Sequence, residues 1–216
     1  MKNDYLAIAK SVLEIESSAL LDSISRLNSV QLENIVQVIG ASRGKLVITG
    51  VGKSGHIGAK IAATLSSTGT PSMFMHPVEA MHGDLGVIQK DDVVLAISYS
   101  GESEELLNLI PHIKRLGNTI ITMSKDKNSS LSAMSELFLD IFVQKEACPL
   151  QTAPTSSTTL TLALGDVLAV CLMYYRNFSQ EHFASFHPGG SLGKRLFVKV
   201  KDLMQTTNLP IIDSHT

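Results

Sequence analysis

The feature that most constrains this chain is a change of apolar rhythm near residue 41. Before it, Leu6, Ala9, Leu13, Leu20, Leu21, Ile24 and Leu27, then Ile35, Val36 and Ile39, recur at helical spacing, with Asn28 and Ser29 as the break between two pieces. After it come five short apolar runs: 46–48, 73–75, 93–97, 119–123 and 137–143. Most lack polar alternation, as strands covered on both faces of a parallel sheet do. Helical segments are expected between them at 55–67 and 102–116, with a short turn near Ser130 and a long apolar helix at 154–175. Strand–helix alternation of this kind predicts right-handed βαβ units. The expected fold is therefore α/β, a doubly wound five-stranded parallel sheet in an αβα sandwich, preceded by N-terminal helices. Three segments follow: 1–40, helical and packed on the sheet; 41–196, the α/β domain; and 197–216, a tail.

A formal charge of −2 over 216 residues gives no field that would draw nucleic acid or an anionic membrane. Any anion site must be local. The N-terminus lacks the apolar core and cleavage site of a secretory signal. The long apolar helix carries Gly165 and Asp166 in its middle and reads as a buried helix of a soluble protein. Two cysteines, Cys148 and Cys171, are too few for a disulfide framework and fit a reducing, cytoplasmic setting.

Ligands of doubly wound sheets bind beyond the carboxyl ends of the strands, so the loops there carry the functional argument. The first is Gly50-Val51-Gly52-Lys53-Ser54-Gly55, between a strand and a helix. It satisfies G-x-G-x-x-G, but the second strand ends at His76 without the acid that a dinucleotide ribose needs. A Walker A loop would need glycine where Val47 stands. What remains is an anion cradle of helix N–H groups and the Ser54 hydroxyl, or a plain tight turn. Lys53 tips the balance, because packing does not explain a lysine in such a loop.

The second loop, Ser98-Tyr99-Ser100-Gly101-Glu102-Ser103, leaves the third strand and enters a helix. Ser100 as a simple N-cap would account for one serine. Three at one helix start, with Ser54 on a neighbouring strand end, favour a phosphate site. Glu102, Glu104 and Glu105 would repel that phosphate and must face away from it or act on the rest of the ligand. Glu105, expected a turn into the helix, has the reach to serve a sugar.

These loops belong to a longer series: His76-Pro77 with Glu79-Ala80 and His82-Gly83-Asp84-Leu85-Gly86, then Lys145 to Leu150, Ala153 to Thr158, and His187-Pro188-Gly189-Gly190-Ser191-Leu192-Gly193. In this order, over nearly the whole chain, they resemble the arabinose 5-phosphate isomerases of the sugar isomerase (SIS) domain class, a flavodoxin- or Rossmann-like fold. The resemblance implies interconversion of D-arabinose 5-phosphate and D-ribulose 5-phosphate, which supplies Kdo for bacterial lipopolysaccharide. It places the catalytic set on Lys53, Glu105, Glu146 and His187, and phosphate-binding hydroxyls on Ser54, Ser98, Ser100 and Ser103. It places further substrate contacts on Gly69, Thr70 and His82. His76 matches a position that takes zinc, inhibitory rather than required, and no cofactor is expected. It also implies a homo-oligomer, a tetramer, with sites at subunit boundaries, and neither nucleic acid nor membrane as partner.

Two departures accompany the match. Tyr99 stands where a smaller polar residue is expected, and residues 197–216 resemble the opening of a CBS region whose tandem pair is not present in these 216 residues. Two other readings compete. A non-catalytic sugar-phosphate sensor would need the serine loops but not Lys53, Glu146 and His187 together, and its usual basic DNA-reading helix is not seen. An isomerase of another sugar phosphate, such as a hexulose 6-phosphate, would keep the same phosphate grip.

Overall fold

The computed structural model describes residues 4–189, together with Arg195, Met204 and Gln205. Contacts divide the chain into two compact units, Met1–Asn177 and Phe178–Thr216. The first holds helices α1 (Tyr5–Arg26) and α2 (Ser29–Ala41), then β1 (Leu46–Gly50), α3 (Gly52–Ser67), β2 (Ser72–Phe74), α4 (Pro77–Met81), a 3-10 turn (Asp84–Val87) and β3 (Val93–Ile97). It continues with α5 (Glu104–Leu116), β4 (Thr119–Ser124), α6 (Ser130–Ala133), β5 (Leu137–Asp140) and α7 (Ser156–Tyr175). The described part of the second unit is built on α8 (Gln180–Phe186).

All five strands are parallel, in the order β2-β1-β3-β4-β5. The doubly wound α/β sandwich expected from the apolar runs is the fold observed. β1 and β3 are buried at every position because each sheet face is covered. On one face, Ile48, Leu95 and Ile121 join Ile61 and Leu65 of α3, Leu160, Leu164 and Leu168 of α7, and Ile35 and Ile39 of α2. On the other, Val47, Val94 and Ile120 meet Leu106, Leu109, Ile110 and Ile113 of α5. Burying a side chain of this size stabilises the fold by about 1.5–3 kcal/mol.

Helix boundaries shift in informative ways. The helix after β1 starts at Gly52, three residues earlier than expected, so Lys53 and Ser54 lie in its first turn. The helix after β3 starts at Glu104, two residues later, with Ser103 rather than Ser100 at its N-cap. The last strand ends at Asp140, whose carboxylate accepts the Phe142 N–H (2.7 Å) and turns the chain out of the sheet. Two short elements had no apolar signal and were missed: α4, which opens on Pro77 and whose Val78 N–H donates to the His76 ring, and the 3-10 turn after it.

The apolar helix α7 is long and apolar enough to pass for a membrane span, yet half of its most apolar stretch is buried and it packs on α1, α2 and α3. Within the first unit the N-terminal helices cover the sheet together with it: Ala19, Ile35 and Ile39 share a core with the strands. The expected tail, 197–216, lies outside the described residues apart from Met204 and Gln205.

Candidate active site

The strand order reverses direction at β1: its first crossover goes to β2 on one side, and the chain then returns to β3 on the other. The loops leaving β1 and β3 therefore diverge from adjacent strand ends, where Gly50 pairs with Ile97. That divergence opens a crevice, the usual ligand position in such sheets. A cleft of about 420 Å3 lies there, lined by the β1 loop (Val51, Lys53, Ser54), the β3 loop (Ser98, Tyr99, Ser100, Ser103), Glu146, and the segment from Gln151 to the first turns of α7. The volume suits a small metabolite.

Two helices begin at this cleft with their first N–H groups uncapped by any side chain. Val51 precedes α3 and Ser103 precedes α5, and neither makes a side-chain capping bond. The β1 loop can come this close because Gly55 has no side chain: a Cβ there would sit 2.7 Å from the Gly50 carbonyl oxygen, backbone against backbone. In the β3 loop, Ser98 Oγ and Ser103 Oγ share a hydrogen bond of 2.8 Å, and Ser98 Oγ accepts the Gly101 N–H at 3.1 Å. Gly101 holds φ 73°, and a Cβ would strike the Ser129 hydroxyl behind it. The loop is buttressed from below: Leu131 N–H donates to the Gly101 carbonyl (3.0 Å), and Ser130 N–H donates to Glu102 (2.8 Å). Glu102 is thereby turned outward, and the Ser130 N–H and hydroxyl hold its carboxyl below the usual range.

Glu146 faces this grip. Its Oε2 accepts from Thr155 N–H (2.7 Å), Thr155 Oγ1 (3.0 Å) and Ser157 N–H (3.2 Å), so the carboxylate caps the start of α7. Burial pushes its pKa up, but the donors of Ser157 and Thr155 outweigh that and hold it below the ordinary carboxylate range. All these bonds fall on one oxygen. Among the described residues nothing bonds Oε1.

Of the residues singled out in the sequence, Lys53, Ser54, Ser98, Ser100, Ser103 and Glu146 line one cleft. Lys53 has no carboxylate partner among the described residues. Of the others in the first unit, none lines that cleft. Glu105, in the first turn of a helix that starts later than expected, is exposed and outside the cleft lining. Gly69 and Thr70 follow α3, after the crossover has returned the chain to the amino ends of the strands; Thr70 N–H donates to the Leu65 carbonyl there. They stand at the edge of the sheet opposite the cleft. His82 ends α4 and is exposed.

His76 Nδ1 accepts the Val78 N–H at 3.3 Å, as the cap of α4. No cluster of three His, Cys, Asp or Glu side chains able to hold a metal forms among the described residues, so a zinc site at His76 finds no supporting ligand set. His187, in the second unit, ends α8 with its ring stacked on Phe183 at 4.0 Å and its Nδ1 2.8 Å from the Phe183 carbonyl. Sequence reasoning gave no role to Gln151, Thr152, Pro154 and the α7 residues Ser157, Thr158 and Thr161, which complete the wall, though Pro154, Ser157 and Thr158 stand in the matched series. Their signal was a run of hydroxyls, Thr155 to Thr159, opening an apolar helix.

Comparison with known proteins agrees with the geometry. The SIS domain model matches residues 41–171. A probable arabinose 5-phosphate isomerase of Haemophilus influenzae is 53% identical over 97% of the chain, and the arabinose 5-phosphate isomerase of Pseudomonas aeruginosa is 50% identical over 93%. The chain spans 61% of the length of each. An Escherichia coli CFT073 protein solved in complex with arabinose 5-phosphate superposes with a TM-score of 0.83 at 41% identity, covering 87% of this chain and all of that one. A match of a domain model across β1 to α7, and of a whole solved structure at this identity, leaves one conclusion: the chain belongs to the SIS domain family.

Proposed function

We propose that this chain is an aldose–ketose isomerase that interconverts D-arabinose 5-phosphate and D-ribulose 5-phosphate. One observation carries the reading: a single cleft joins two uncapped helix N-termini and a serine loop to a carboxylate with one oxygen fixed and the other open. The first half suits a phosphate ester, which accepts hydrogen bonds and is favoured by the helix dipoles. The second suits a general base. The names carried by the H. influenzae and P. aeruginosa relatives, and the sugar phosphate in the E. coli structure, support this substrate over other pentose and hexose phosphates.

In the proposed reaction the phosphate sits at the β1 and β3 loops. With the ring open, Glu146 takes the proton from C2 while the C1 carbonyl oxygen is protonated, giving an enediol. O2 then gives up its proton, C2 becomes the carbonyl, and the proton is delivered to C1. The Lys53 ammonium stabilises negative charge developing on the oxygens. Electrons stay within the sugar throughout, so the steps as written consume no cofactor. His187 assists ring opening and Glu105 orients or relays; both assignments rest on the resemblance, and both fit a homotetramer whose sites are completed at subunit boundaries. We further assign the product to Kdo supply for lipopolysaccharide, in the cytoplasm.

The test is proton NMR of D-arabinose 5-phosphate with the purified chain in D2O after chelator treatment. Appearance of ribulose 5-phosphate, with deuterium entering C2 on reversal, is expected. Binding without turnover would replace the isomerase with a sugar-phosphate sensor, and a Glu146→Gln variant exchanging at the wild-type rate would remove Glu146 as the base.

A further inference from the structure

Glu146 stands in a loop between β5 and α7, and its carboxylate is useful only if the backbone beneath it is held. The loop lacks strand or helix hydrogen bonds at this point. Thr155 Oγ1 accepts the next N–H, that of Ala147 (2.8 Å), but the Glu146 main chain itself is held by one side chain. Gln151 Oε1 accepts the Glu146 N–H at 3.0 Å, and Gln151 Nε2 donates to the Glu146 carbonyl at 2.7 Å and to the Cys148 carbonyl at 3.0 Å. The amide thus pairs with both main-chain groups of Glu146, as a neighbouring strand would.

The backbone of Gln151 accounts for how the side chain gets there. Its φ is 52°, in the left-handed region that residues with a Cβ rarely adopt. The turn is closed by Gln151 N–H donating to the Cys148 carbonyl at 2.9 Å. Glycine or asparagine would take this conformation at lower cost, yet glutamine occupies it. A left-handed residue whose side chain makes three hydrogen bonds back to the loop is strain held in place by what it positions.

We propose that Gln151 is a positioning residue: its amide clamps the Glu146 main chain so that Oε2 stays on the α7 cap and Oε1 stays open to the substrate. The inference rests on the reading of Glu146 as the carbon base. Gln151 also lines the cleft wall, but its amide is turned to the loop and acts through the Glu146 main chain. Its work is to keep one carboxylate rotation out of many, which matters because a misplacement of about 1 Å can cost on the order of a hundredfold in rate.

The test compares Gln151→Gly, Gln151→Asn and Gln151→Glu with the wild type in the full chain. Gln151→Gly relieves the backbone strain while removing the amide. It should lower the turnover of D-arabinose 5-phosphate by about tenfold or more, with KM changed less than about twofold. Its acid limb in the kcat profile should move up toward the ordinary carboxylate range as the carboxylate loosens from the Thr155 and Ser157 donors. Gln151→Asn tolerates the left-handed backbone but is one methylene short, and should resemble Gln151→Gly. Gln151→Glu keeps the length and the acceptor but cannot donate to the two carbonyls, and should also fail to restore the rate.

A second readout needs no turnover. Hydrogen exchange followed by mass spectrometry should show the segment around Glu146 losing protection in Gln151→Gly, while the peptides of β1, β3 and β4 keep theirs. Wild-type turnover, kcat and acid limb in Gln151→Gly would overturn the clamp. If the wild type itself does not turn over the sugar phosphate, the isomerase reading fails; unchanged protection around Glu146 would then separately overturn the clamp, and lost protection would uphold it as a holder of the loop.

Discussion

Two carboxylates in this chain are held in the charged form by similar means and for different ends. Glu146 spends one oxygen on the start of α7 and keeps the other at the cleft. Asp92 keeps none: Oδ1 accepts the Lys45 N–H (2.8 Å), and Oδ2 accepts the Gln89 N–H (2.8 Å) and the Lys45 ammonium (2.6 Å). Burial pushes the Asp92 pKa up, but the Lys45 ammonium and these N–H groups outweigh it and hold the carboxyl below its ordinary value. A carboxyl of this kind sits just before β3, at the amino edge of the sheet, and ties it to the start of β1. Gly44 must lack a side chain to let it in, since a Cβ there would overlap Asp92 Oδ1.

The sign of the pH effect follows. The folded pKa of Asp92 lies below the unfolded one, about 3.9, so its contribution is fully present above that value and is lost as pH falls through the folded pKa. Asp92→Asn keeps the shape but removes the charge. It should cost about 2–3 kcal/mol at neutral pH, roughly 5–10 °C in Tm, with the deficit shrinking in acid. Turnover per folded molecule should not change, because the cleft is at the other end of the strands. A loss of kcat/KM in Asp92→Asn at a temperature where it is folded would contradict that separation.

Among the elements, α3 and α7 matter most, since one begins with Lys53 and Ser54 and the other begins under Glu146. They pack together at Gly165, where a Cβ would approach Ile61 Cγ1 to 2.4 Å, and Ile61 is wholly buried. Gly165→Ala should therefore force the helices apart or Ile61 out of its rotamer, at about 1–3 kcal/mol. Because both helix starts are tied to the cleft, kcat/KM should fall together with Tm, in contrast to Asp92→Asn; calorimetry and the isomerase assay on one preparation would tell.

The same two helices show what was legible in the chain. The strands between and beside them were readable because a parallel sheet covered on both faces demands unbroken apolar runs, and 93–97 is one. Lys53 and the serines were readable because their loops leave strand ends, whereas Glu146, in the longer loop after β5, was named by the resemblance. Gly69 and Thr70 were named by the resemblance alone, and local pattern does not register that a crossover carries them to the opposite edge of the sheet. Glu105 was placed in the catalytic set by the resemblance; within this chain its side chain is exposed and outside the cleft lining. Gln151 left no signal at all: its bonds run to the main chain of a residue whose identity they do not depend on.

At the scale of the whole molecule, α1 is the anomaly. Tyr5, Leu6, Leu13, Leu21 and Ile24 are each more than three-fifths exposed, and Val30 at the start of α2 matches them. A helix that buries one apolar face and exposes another is built to meet something else. We read the exposed face as one contact of the proposed homotetramer. If sites are completed across such contacts, subunits inactivated at different residues should rescue one another. Glu146→Gln and His187→Ala chains, unfolded together and refolded as a mixture, should then recover up to about a quarter of wild-type turnover, the share of sites that draws neither lesion when two subunits combine at random. Replacing Leu6 and Leu13 by Asp should abolish the rescue and lower the mass seen by light scattering. Rescue absent from a mixture whose tetramers form normally would place both residues of each site in one chain, and His187 would then have to be sought within the same subunit as Glu146.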